Sequence, residues 1–409
     1  MATVKPFRAI RPTEDKAAFV VSRSYQSYSK KELNANLEFN PFSFLHIINP
    51  GYKFDKQIAG NKRFSLVRNR YLGFLEDDIL KKDMEPGFYL YQMEQDDFSF
   101  CGLFCATSVA DYRNNVIRKH EDTIKHRETL FANYLKTVKF NAEPVLMTYA
   151  DNTDLKELLD TEKRKNPSYH FTTTDKVTHK LWVISNDTTT KNIQKQFQKI
   201  DKLYIADGHH RSASSEVLSK MYTDEHQSEE RPSDYFMSYL IPESEIRIYE
   251  FNRLVKDLNG LSKEEFLIAL DAHFRIENKG KVLYKPTKKH HFSMYLDGDF
   301  YSLYLRKTVY TFTDELSELD TQILYKTILE PILGVTDLRN DKRISYGSGK
   351  HNSIRMKNEI DTKNYQVGFS MLPISVSEIK KIANAGLVMP PKTTYIEPKL
   401  LSGMAIYEL

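Results

Sequence analysis

The central stretch of the chain reads Lys202-Leu203-Tyr204-Ile205-Ala206-Asp207-Gly208-His209-His210-Arg211-Ser212-Ala213. It begins as a short apolar run of strand-forming residues, which Asp207-Gly208 interrupts. From Ser212 onward, apolar residues recur at helical spacing as far as Met221. The stretch therefore predicts a strand, a glycine turn and a helix, an arrangement that directs free backbone N–H groups at one point.

The polar residues at this turn suit phosphate binding. Gly208 has no Cβ atom, so a ligand can approach the backbone closely. His209, His210 and Arg211 fall in the first helical turn, where the helix dipole favours an anion. Arg211 can also grip a phosphate with two N–H groups. Asp207 is suited to hold a divalent cation that binds phosphate in turn, and it is the predicted metal ligand.

An ordinary strand-to-helix turn with solvated polar residues is the alternative at this position. Five such residues in direct succession, Asp-Gly-His-His-Arg, favour a functional site over that alternative. Ser212, the next residue, is the last of the predicted cofactor-binding residues at this turn. A dinuclear metal site is disfavoured, because neighbouring residues on a helix, here His209 and His210, do not face each other.

Composition and charge restrict the class of protein. The chain has 409 residues, of which 40% are hydrophobic and 12% aromatic, enough for two folded domains or one large elaborated domain. The net charge of +4 is nearly balanced and argues against a nucleic-acid partner. We expect a cytoplasmic protein without a membrane span, because the chain shows neither a signal peptide nor a long apolar segment. Cys101 and Cys105 are expected to be free thiols.

Strand and helix patterns alternate along the chain and predict an α+β fold. Residues Phe88–Met93 and Phe98–Val109 read as a hairpin, Phe44–Ile48 as a strand and Leu316–Leu333 as a long amphipathic helix. Prolines within Met389–Tyr407 resist helix formation, so this tail is expected to lie extended. The polar stretch Glu225–Ser233 suggests a boundary between domains 1–224 and 225–409.

Two further polar clusters are candidate sites. His120 and Glu121 precede a predicted helix, where they could perform acid–base chemistry or simply favour the helix dipole. Asp341-Lys342-Arg343 precedes the glycine-rich turn Tyr346-Gly347-Ser348-Gly349. A basic run before such a turn can bind phosphate, and Arg343 is the predicted ligand, although a plain surface loop is the favoured explanation of so short a motif.

The sequence resembles a widespread bacterial and archaeal family, long catalogued as a domain of unknown function and marked by Tyr-Ile-Ala-Asp-Gly-His-His-Arg. The resemblance runs nearly end to end and rests on eight segments in order: Lys5-Pro6-Phe7-Arg8-Ala9, Asn40-Pro41, Phe44-Leu45-His46, Lys119-His120-Glu121 with Thr123, Asp207–Arg211, Asp341-Lys342-Arg343-Ile344, Met389-Pro390-Pro391-Lys392 and Glu397-Pro398-Lys399. The chain departs from the family at Gly347-Ser348, where Gly-Gly is common.

The Asp-Gly-His-His-Arg signature is also similar to the phosphate-gripping motif of the ParB/sulfiredoxin superfamily. This resemblance implies a ParB/sulfiredoxin-like mixed-sheet core in residues 1–224, with large α/β elaborations and a second α/β part, 225–409, packed on it. It further implies a kinase that phosphorylates free L-serine to O-phosphoserine with Mg²⁺ and ATP or ADP. The expected partners are a nucleotide and a small amino-acid substrate, and a homodimer is left open.

Phosphoryl transfer requires positioning and charge neutralisation more than covalent chemistry from the protein. Gly208–Arg211 would hold the nucleotide phosphates, and His209 or His210 would hydrogen-bond the transferring group. Glu121, beside His120, is the first choice for the base that accepts the serine proton. Glu32 is the second choice, because the better-known serine kinases use a Glu soon after the first strand.

The sequence leaves three other functions open. A metal-dependent phosphohydrolase could use the same Asp, His and Arg residues on water. A nucleotide-gated DNA clamp, as in the partition proteins, is disfavoured by the near-zero net charge and the absence of a recognisable helix-turn-helix. A peroxide-linked reductase is disfavoured most, because neither cysteine lies in the phosphate motif.

Overall fold

A computed structural model describes residues 1–54, 58–223, 230–349 and 352–409 of the chain. It shows a mixture of helices and strands with a mixed sheet, which confirms the α+β class. The strands, in chain order, are β1 Val4–Lys5, β2 Ile10–Pro12, β3 Leu80–Lys82, β4 Phe88–Gln95, β5 Phe98–Ser108, β6 Ile117–Arg118, β7 Phe140–Asn141, β8 Val145–Tyr149, β9 Tyr169–Thr172, β10 Thr178–Ile184, β11 Leu203–Asp207, β12 Tyr235–Pro242, β13 Arg247–Tyr249, β14 Asn252–Val255, β15 Phe274–Gly280, β16 His291–Leu296, β17 Asp299–Leu305, β18 Ile344–Gly347, β19 Val367–Met371, β20 Tyr395–Glu397 and β21 Tyr407–Glu408.

The helices connect these strands and cover the sheets. The α-helices are α1 Ala17–Val20, α2 Lys30–Phe39, α3 Leu45–Ile48, α4 Gly60–Glu76, α5 Val109–Arg113, α6 Lys125–Val138, α7 Thr153–Lys163, α8 Asp187–Gln198, α9 His209–Thr223, α10 Lys263–Asp271, α11 Asp320–Leu324, α12 Asn352–Asp361 and α13 Val376–Ala385. Short 3₁₀ turns lie at Glu14–Lys16, Tyr25–Ser27, Pro50–Phe54 and Pro232–Asp234, and a π-helical turn lies at Tyr325–Leu329.

The chain divides into two compact units. The first contains residues 1–119, 123–246 and 398–409, and the second contains 120–122 and 247–397. The predicted boundary between residues 224 and 225 lies outside the described residues and stays a prediction. The β12 strand, which follows that position, pairs with β5 and β8 within the first unit.

The first unit is built on a nine-stranded mixed sheet. Its strand order is β6-β11-β8-β12-β5-β4-β10-β9, with β1 paired to β5. The β11–β6 and β12–β8 pairs are parallel, and the other pairs are antiparallel. Apolar residues of α7 and α8, among them Leu155, Ile193 and Phe197, pack into a core with alternate strand residues. Within this sheet, β11 lies between β6 and β8.

One predicted strand in this unit is wrong. Phe44–Ile48 was expected to be extended, but Leu45–Ile48 forms helix α3. Its buried residues, Phe44, Leu45 and Ile47, have a spacing that also fits one helical turn. So short an apolar run cannot distinguish the two structures by periodicity. The predicted hairpin is confirmed, because β4 and β5 pair from Gln95 and Phe98 outward.

The second unit is built on a six-stranded antiparallel sheet in the order β15-β17-β16-β19-β14-β18. The long helix predicted over Leu316–Leu333 is wrong, because α11 begins only at Asp320 and passes into the π-helical turn. Asp314 and Ser317 form a local turn instead, with the Asp314 Oδ1 accepting the Ser317 N–H at 2.7 Å. Such side-chain bonds compete with helix formation.

Within the described ranges, no helix is both long and apolar enough to cross a membrane.

Candidate functional site

The predicted strand, turn and helix are present at the central stretch. Strand β11 ends at Asp207 and helix α9 begins at His209, with Gly208 between them. Gly208 has a φ of +105°, a conformation that L side chains rarely adopt. The pairing of β11 with β8 shifts register between Ile205 and Asp207. This irregularity ends the strand at the point where the chain turns into the helix.

The Arg211 side chain folds back over this turn. Its Nη2 atom lies 3.3 Å from the Asp207 Oδ2, and its Nη1 donates a hydrogen bond to the carbonyl of Pro144. Pro144 directly precedes β8, which is the neighbour of β11 in the sheet. Two adjacent strands therefore fix the position of one guanidinium group.

Lys399 is a second cation at this position, and sequence reasoning did not assign it a role. Its Nζ lies 3.5 Å from the same Asp207 Oδ2 atom. It belongs to the C-terminal segment 398–409, which is part of the first unit. Its motif, Glu397-Pro398-Lys399, is one of the segments on which the family resemblance rests. Nothing in the local sequence connects it with Asp207.

The charges at the site are one carboxylate and two cations. Partial burial would raise the pKa of Asp207, but the nearby Arg211 and Lys399 act against it and lower the pKa below its ordinary value. Asp207 is therefore ionised at neutral pH. Its side chain is 46% exposed and that of Lys399 is 47% exposed, so a ligand in solution can reach both. Both cations thus lie within 3.5 Å of one carboxylate oxygen.

The two histidines and Ser212 are oriented differently from this group. His209 is buried and His210 is half-buried, and both take part in interactions within the protein. Ser212 is fully buried, and its hydroxyl donates to the His209 carbonyl at 3.0 Å. A role of these three residues in ligand binding stays a prediction.

Asp207 fits a Mg²⁺ ion that is shared with a phosphate. The described part of the chain contains no group of three His, Cys, Asp or Glu residues that could hold a metal alone. Mg²⁺ in phosphoryl-transfer sites typically keeps several waters and uses one or two carboxylates together with substrate phosphates. One exposed carboxylate beside two phosphate-seeking cations agrees with that pattern.

Glu32 lies at the start of helix α2. Its Oε2 accepts the Ser29 N–H at 2.8 Å, and the Glu32 N–H reaches the Ser29 Oγ at 3.2 Å, which completes a capping box. The Arg23 Nη2 lies 3.4 Å from the Glu32 Oε1. The backbone hydrogen bond from Ser29 is the main cause that lowers the pKa of Glu32. Its carboxylate is thus ionised, and one of its oxygens, Oε2, caps the helix.

His120 and Glu121 lie in the segment that belongs to the second unit. His120 is buried, and burial lowers the pKa of its imidazole to about 4. Its carbonyl accepts the Met389 N–H at 3.0 Å. Glu121 is half-buried. The imidazole is therefore neutral at pH 7, a state in which one ring nitrogen can accept a proton.

Arg343 is occupied by contacts within the second unit. Its Nη2 lies 2.9 Å from the Asp341 Oδ2 and 2.8 Å from the carbonyl of Gly334, and its Nη1 lies 3.0 Å from the carbonyl of Leu333. These bonds fix the preceding loop. A role of Arg343 in cofactor binding stays a prediction.

Comparison with family models matches residues 4–322 to the family described as "Protein of unknown function (DUF1015)". The chain belongs to this family. The match contains the Asp207–Arg211 turn, whereas Lys399 lies beyond its end. No curated protein matches the sequence.

Several solved structures are similar to this DUF1015 member at low scores. A mutant free serine kinase in complex with AMP is 12% identical, covers 75% of this chain and 91% of its own, and has a TM-score of 0.39. SbnI with a C-terminal truncation, from Staphylococcus aureus, is 12% identical, covers 73% and 85%, and scores 0.38. A conserved hypothetical protein from Pyrococcus furiosus is 11% identical, covers 75% and 94%, and scores 0.36.

Proposed function

We propose that this DUF1015 member is a nucleotide-dependent kinase of a small molecule, and that its first unit contains a ParB/sulfiredoxin-like core. The observation that carries the proposal is the group at the start of α9. There, Asp207 stands between Arg211 and Lys399 beside a glycine in a positive-φ turn. A carboxylate with two cations suits a site that takes up a metal ion and phosphates together.

The nucleotide phosphates are proposed to bind at Gly208–Arg211. The first turn of α9 presents backbone N–H groups and the positive end of the helix dipole. Arg211 would contribute two parallel N–H groups to a phosphate. Asp207 would hold Mg²⁺, which neutralises charge on the phosphates when it is bound. ATP and ADP are both retained as donors, because these contacts address phosphates and not the base.

The proposed acceptor is the hydroxyl group of free L-serine, which the motif resemblance implies. Glu121 remains the first candidate for the base, and Glu32 the second. Glu121 is half-buried, and it is the first choice because it belongs to the polar cluster that also contains His120. Glu32 is the second choice, because its Oε2 caps helix α2 and its Oε1 lies 3.4 Å from the Arg23 Nη2.

Location and assembly are part of the same proposal. A cytoplasmic enzyme agrees with a nucleotide as phosphoryl donor and with two cysteines that form no disulfide. A homodimer is kept as the proposed alternative to a monomer.

A phosphoryl-transfer screen tests the function. Purified protein, Mg²⁺ and ATP or ADP are mixed with L-serine, D-serine, threonine, homoserine or no acceptor, and products are identified by mass spectrometry. We expect O-phosphoserine from wild type, and none from Asp207→Ala. Asp154→Ala, which removes an exposed carboxylate paired with Lys199 at 3.1 Å, is the matched control and should retain activity. Phosphate release without an acceptor would contradict the kinase and indicate a hydrolase.

The same assay distinguishes the candidate bases. Glu121→Gln should abolish turnover and leave nucleotide binding unchanged. Glu32→Gln should leave turnover intact, and its side-chain carbonyl can still accept the Ser29 N–H of the capping box. The reverse pattern would assign the proton transfer to Glu32.

A further inference from the structure

The C-terminal segment 398–409 is firmly attached to the first unit. Ser22 and Ser402 exchange two backbone hydrogen bonds, at 3.1 and 2.8 Å, and Ile10 and Ile406 exchange two more, at 2.9 and 2.8 Å. Residues 401–407 are all buried, and Ile406 is part of a hydrophobic core. The part of the predicted extended tail from residue 398 onward is therefore a structural part of this unit.

Further side-chain contacts position the start of the segment. The Ser402 hydroxyl donates to the Glu143 Oε1 at 3.2 Å, and Glu143 precedes the Pro144 that accepts from Arg211. Gly403 has a φ of +84° and lies so close to Phe44 that an added Cβ would be 2.9 Å from that ring. Lys399 thus emerges a few residues before a packed anchor, and its backbone position is defined.

Lys399 and Arg211 approach the same oxygen of Asp207, at 3.5 and 3.3 Å. As a structural tie, a half-exposed ion pair at this distance contributes little, typically between 0 and about 1 kcal/mol. The segment is already anchored elsewhere and does not need this pair. The arrangement places a half-exposed lysine side chain beside a guanidinium group that Asp207 and Pro144 hold in position.

We propose that Lys399 is a phosphate-binding residue, contributed to the site by the C-terminal segment. In the absence of ligand it pairs with Asp207, and it exchanges this carboxylate for a phosphate oxygen when an anion binds. No covalent bond changes in this step. A lysine ammonium is a compact charge on a flexible stem, which suits this exchange, whereas Arg211 remains tied to Pro144. That the phosphate belongs to a nucleotide rests on the proposed function. That Lys399 binds a phosphate group does not depend on it.

Binding measured by titration calorimetry on the full chain tests the proposal. The ligands are Mg²⁺-ADP, Mg²⁺-ATP, adenosine and inorganic phosphate, and the proteins are wild type, Lys399→Met and Lys399→Arg. We expect Lys399→Met to weaken ADP binding by about tenfold or more, as for loss of a charged hydrogen bond. Lys399→Arg should recover part of the affinity. Adenosine, which lacks phosphate, should bind all three proteins equally.

Lys82→Met is the matched control. Lys82 also forms an ion pair with this segment, at 2.9 Å from the Glu408 Oε2, and its side chain is 45% exposed. The variant should bind ADP as wild type does, which separates phosphate binding from attachment of the segment. Thermal unfolding of each variant verifies that it is folded.

The outcomes separate the two proposals. Equal ADP affinity of wild type and Lys399→Met would overturn the role of Lys399 and leave the kinase proposal intact. If wild type binds inorganic phosphate but no nucleotide, and Lys399→Met loses the phosphate, Lys399 keeps its role and the kinase proposal fails. If wild type binds none of the phosphate ligands, both are wrong.

Discussion

The guanidinium group of Arg211 lies directly against Gly208. A Cβ atom added to Gly208 would stand 3.0 Å from the Arg211 Nε and 3.1 Å from its Cζ. Gly208 therefore has two functions: it adopts a φ of +105°, and it leaves the space in which Arg211 reaches Asp207 and Pro144. Backbone conformation and placement of the cation depend on the same missing side chain.

Gly208→Ala should both destabilise the protein and weaken nucleotide binding. The positive φ alone costs an alanine about 1–2 kcal/mol, and the methyl group displaces the Arg211 side chain. Thermal unfolding and calorimetry with Mg²⁺-ADP measure the two effects. Gly298→Ala is the control, because Gly298 also has a positive φ, +84°, but nothing lies within 4 Å of its added Cβ. It should show the loss of stability with unchanged ADP affinity. Unchanged ADP affinity in Gly208→Ala would contradict this account.

Replacement of the Asp207 carboxylate should change the pH dependence of stability. Its pKa is lowered in the folded state from an ordinary value of 3.8, so the charged form stabilises the fold above that pH and loses this effect as pH falls through the folded pKa. We expect Asp207→Asn to be less stable than wild type at pH 7 by at most about 1 kcal/mol, because the group is half-exposed. Denaturant unfolding at several pH values should show the two proteins converging below the ordinary pKa. A difference that persists unchanged to the lowest pH would contradict the assignment.

Asp320, in the second unit, should have the opposite effect on the pH dependence of stability, because its ionisation destabilises the fold. It lines a cavity of about 20 Å³ together with Glu250, Lys289 and Glu378. Burial raises the pKa of Asp320 to about 7, although the His290 N–H, at 2.8 Å from its Oδ1, and Lys289 act against this and Glu378 adds to it.

The folded state therefore favours protonated Asp320, and wild type should lose stability as pH rises from 4 to 7. Relative to Asp320→Asn, whose side chain does not ionise, this loss should reach about 4 kcal/mol at most. Urea unfolding of both proteins across that range measures it. Parallel stability curves would show that Asp320 titrates normally.

Arg253 is a buried cation of the second unit, with 3% of its surface exposed. Its Nη1 donates to the Phe251 carbonyl and its Nη2 to the Lys392 carbonyl at 3.0 Å. Burial lowers the pKa of Arg253 to about 10. Arg253→Ala should destabilise by about 2–5 kcal/mol, because the buried Phe251 carbonyl and the partly buried Lys392 carbonyl lose their donor. Arg275→Ala, at an exposed ion pair with Glu277, is the comparison and should cost less than about 1 kcal/mol. A similar loss of unfolding free energy in both variants would contradict the importance of the two carbonyl bonds.

The sequence predicted the turn at Asp207–Arg211 because its signal is local. An apolar run, a glycine and a helical spacing define the strand, the break and the helix within a few residues. The Ser29–Glu32 capping box was equally accessible, since its two partners are three residues apart.

The contacts that complete the site could not be predicted in the same way. Lys399 is far from Asp207 in sequence and lies beside it only because the C-terminal segment folds onto the first unit. Arg211 donates to the backbone carbonyl of Pro144, and no pattern of side chains in the sequence predicts such a bond. The strand predicted over Phe44–Ile48 was wrong because so short an apolar run fits a strand and a single helical turn equally well.

Calorimetric titration of the protein with Mg²⁺-ADP, in wild type and Arg211→Met, tests the central claim most directly. The account predicts saturable binding to wild type and a loss of about tenfold or more in Arg211→Met, because a charged phosphate contact is removed. Arg113→Met, which removes an arginine paired with Glu216 at 3.6 Å in the same unit, should bind as wild type does. Equal affinity of wild type and Arg211→Met, or no binding to wild type, would contradict a nucleotide phosphate site at this turn.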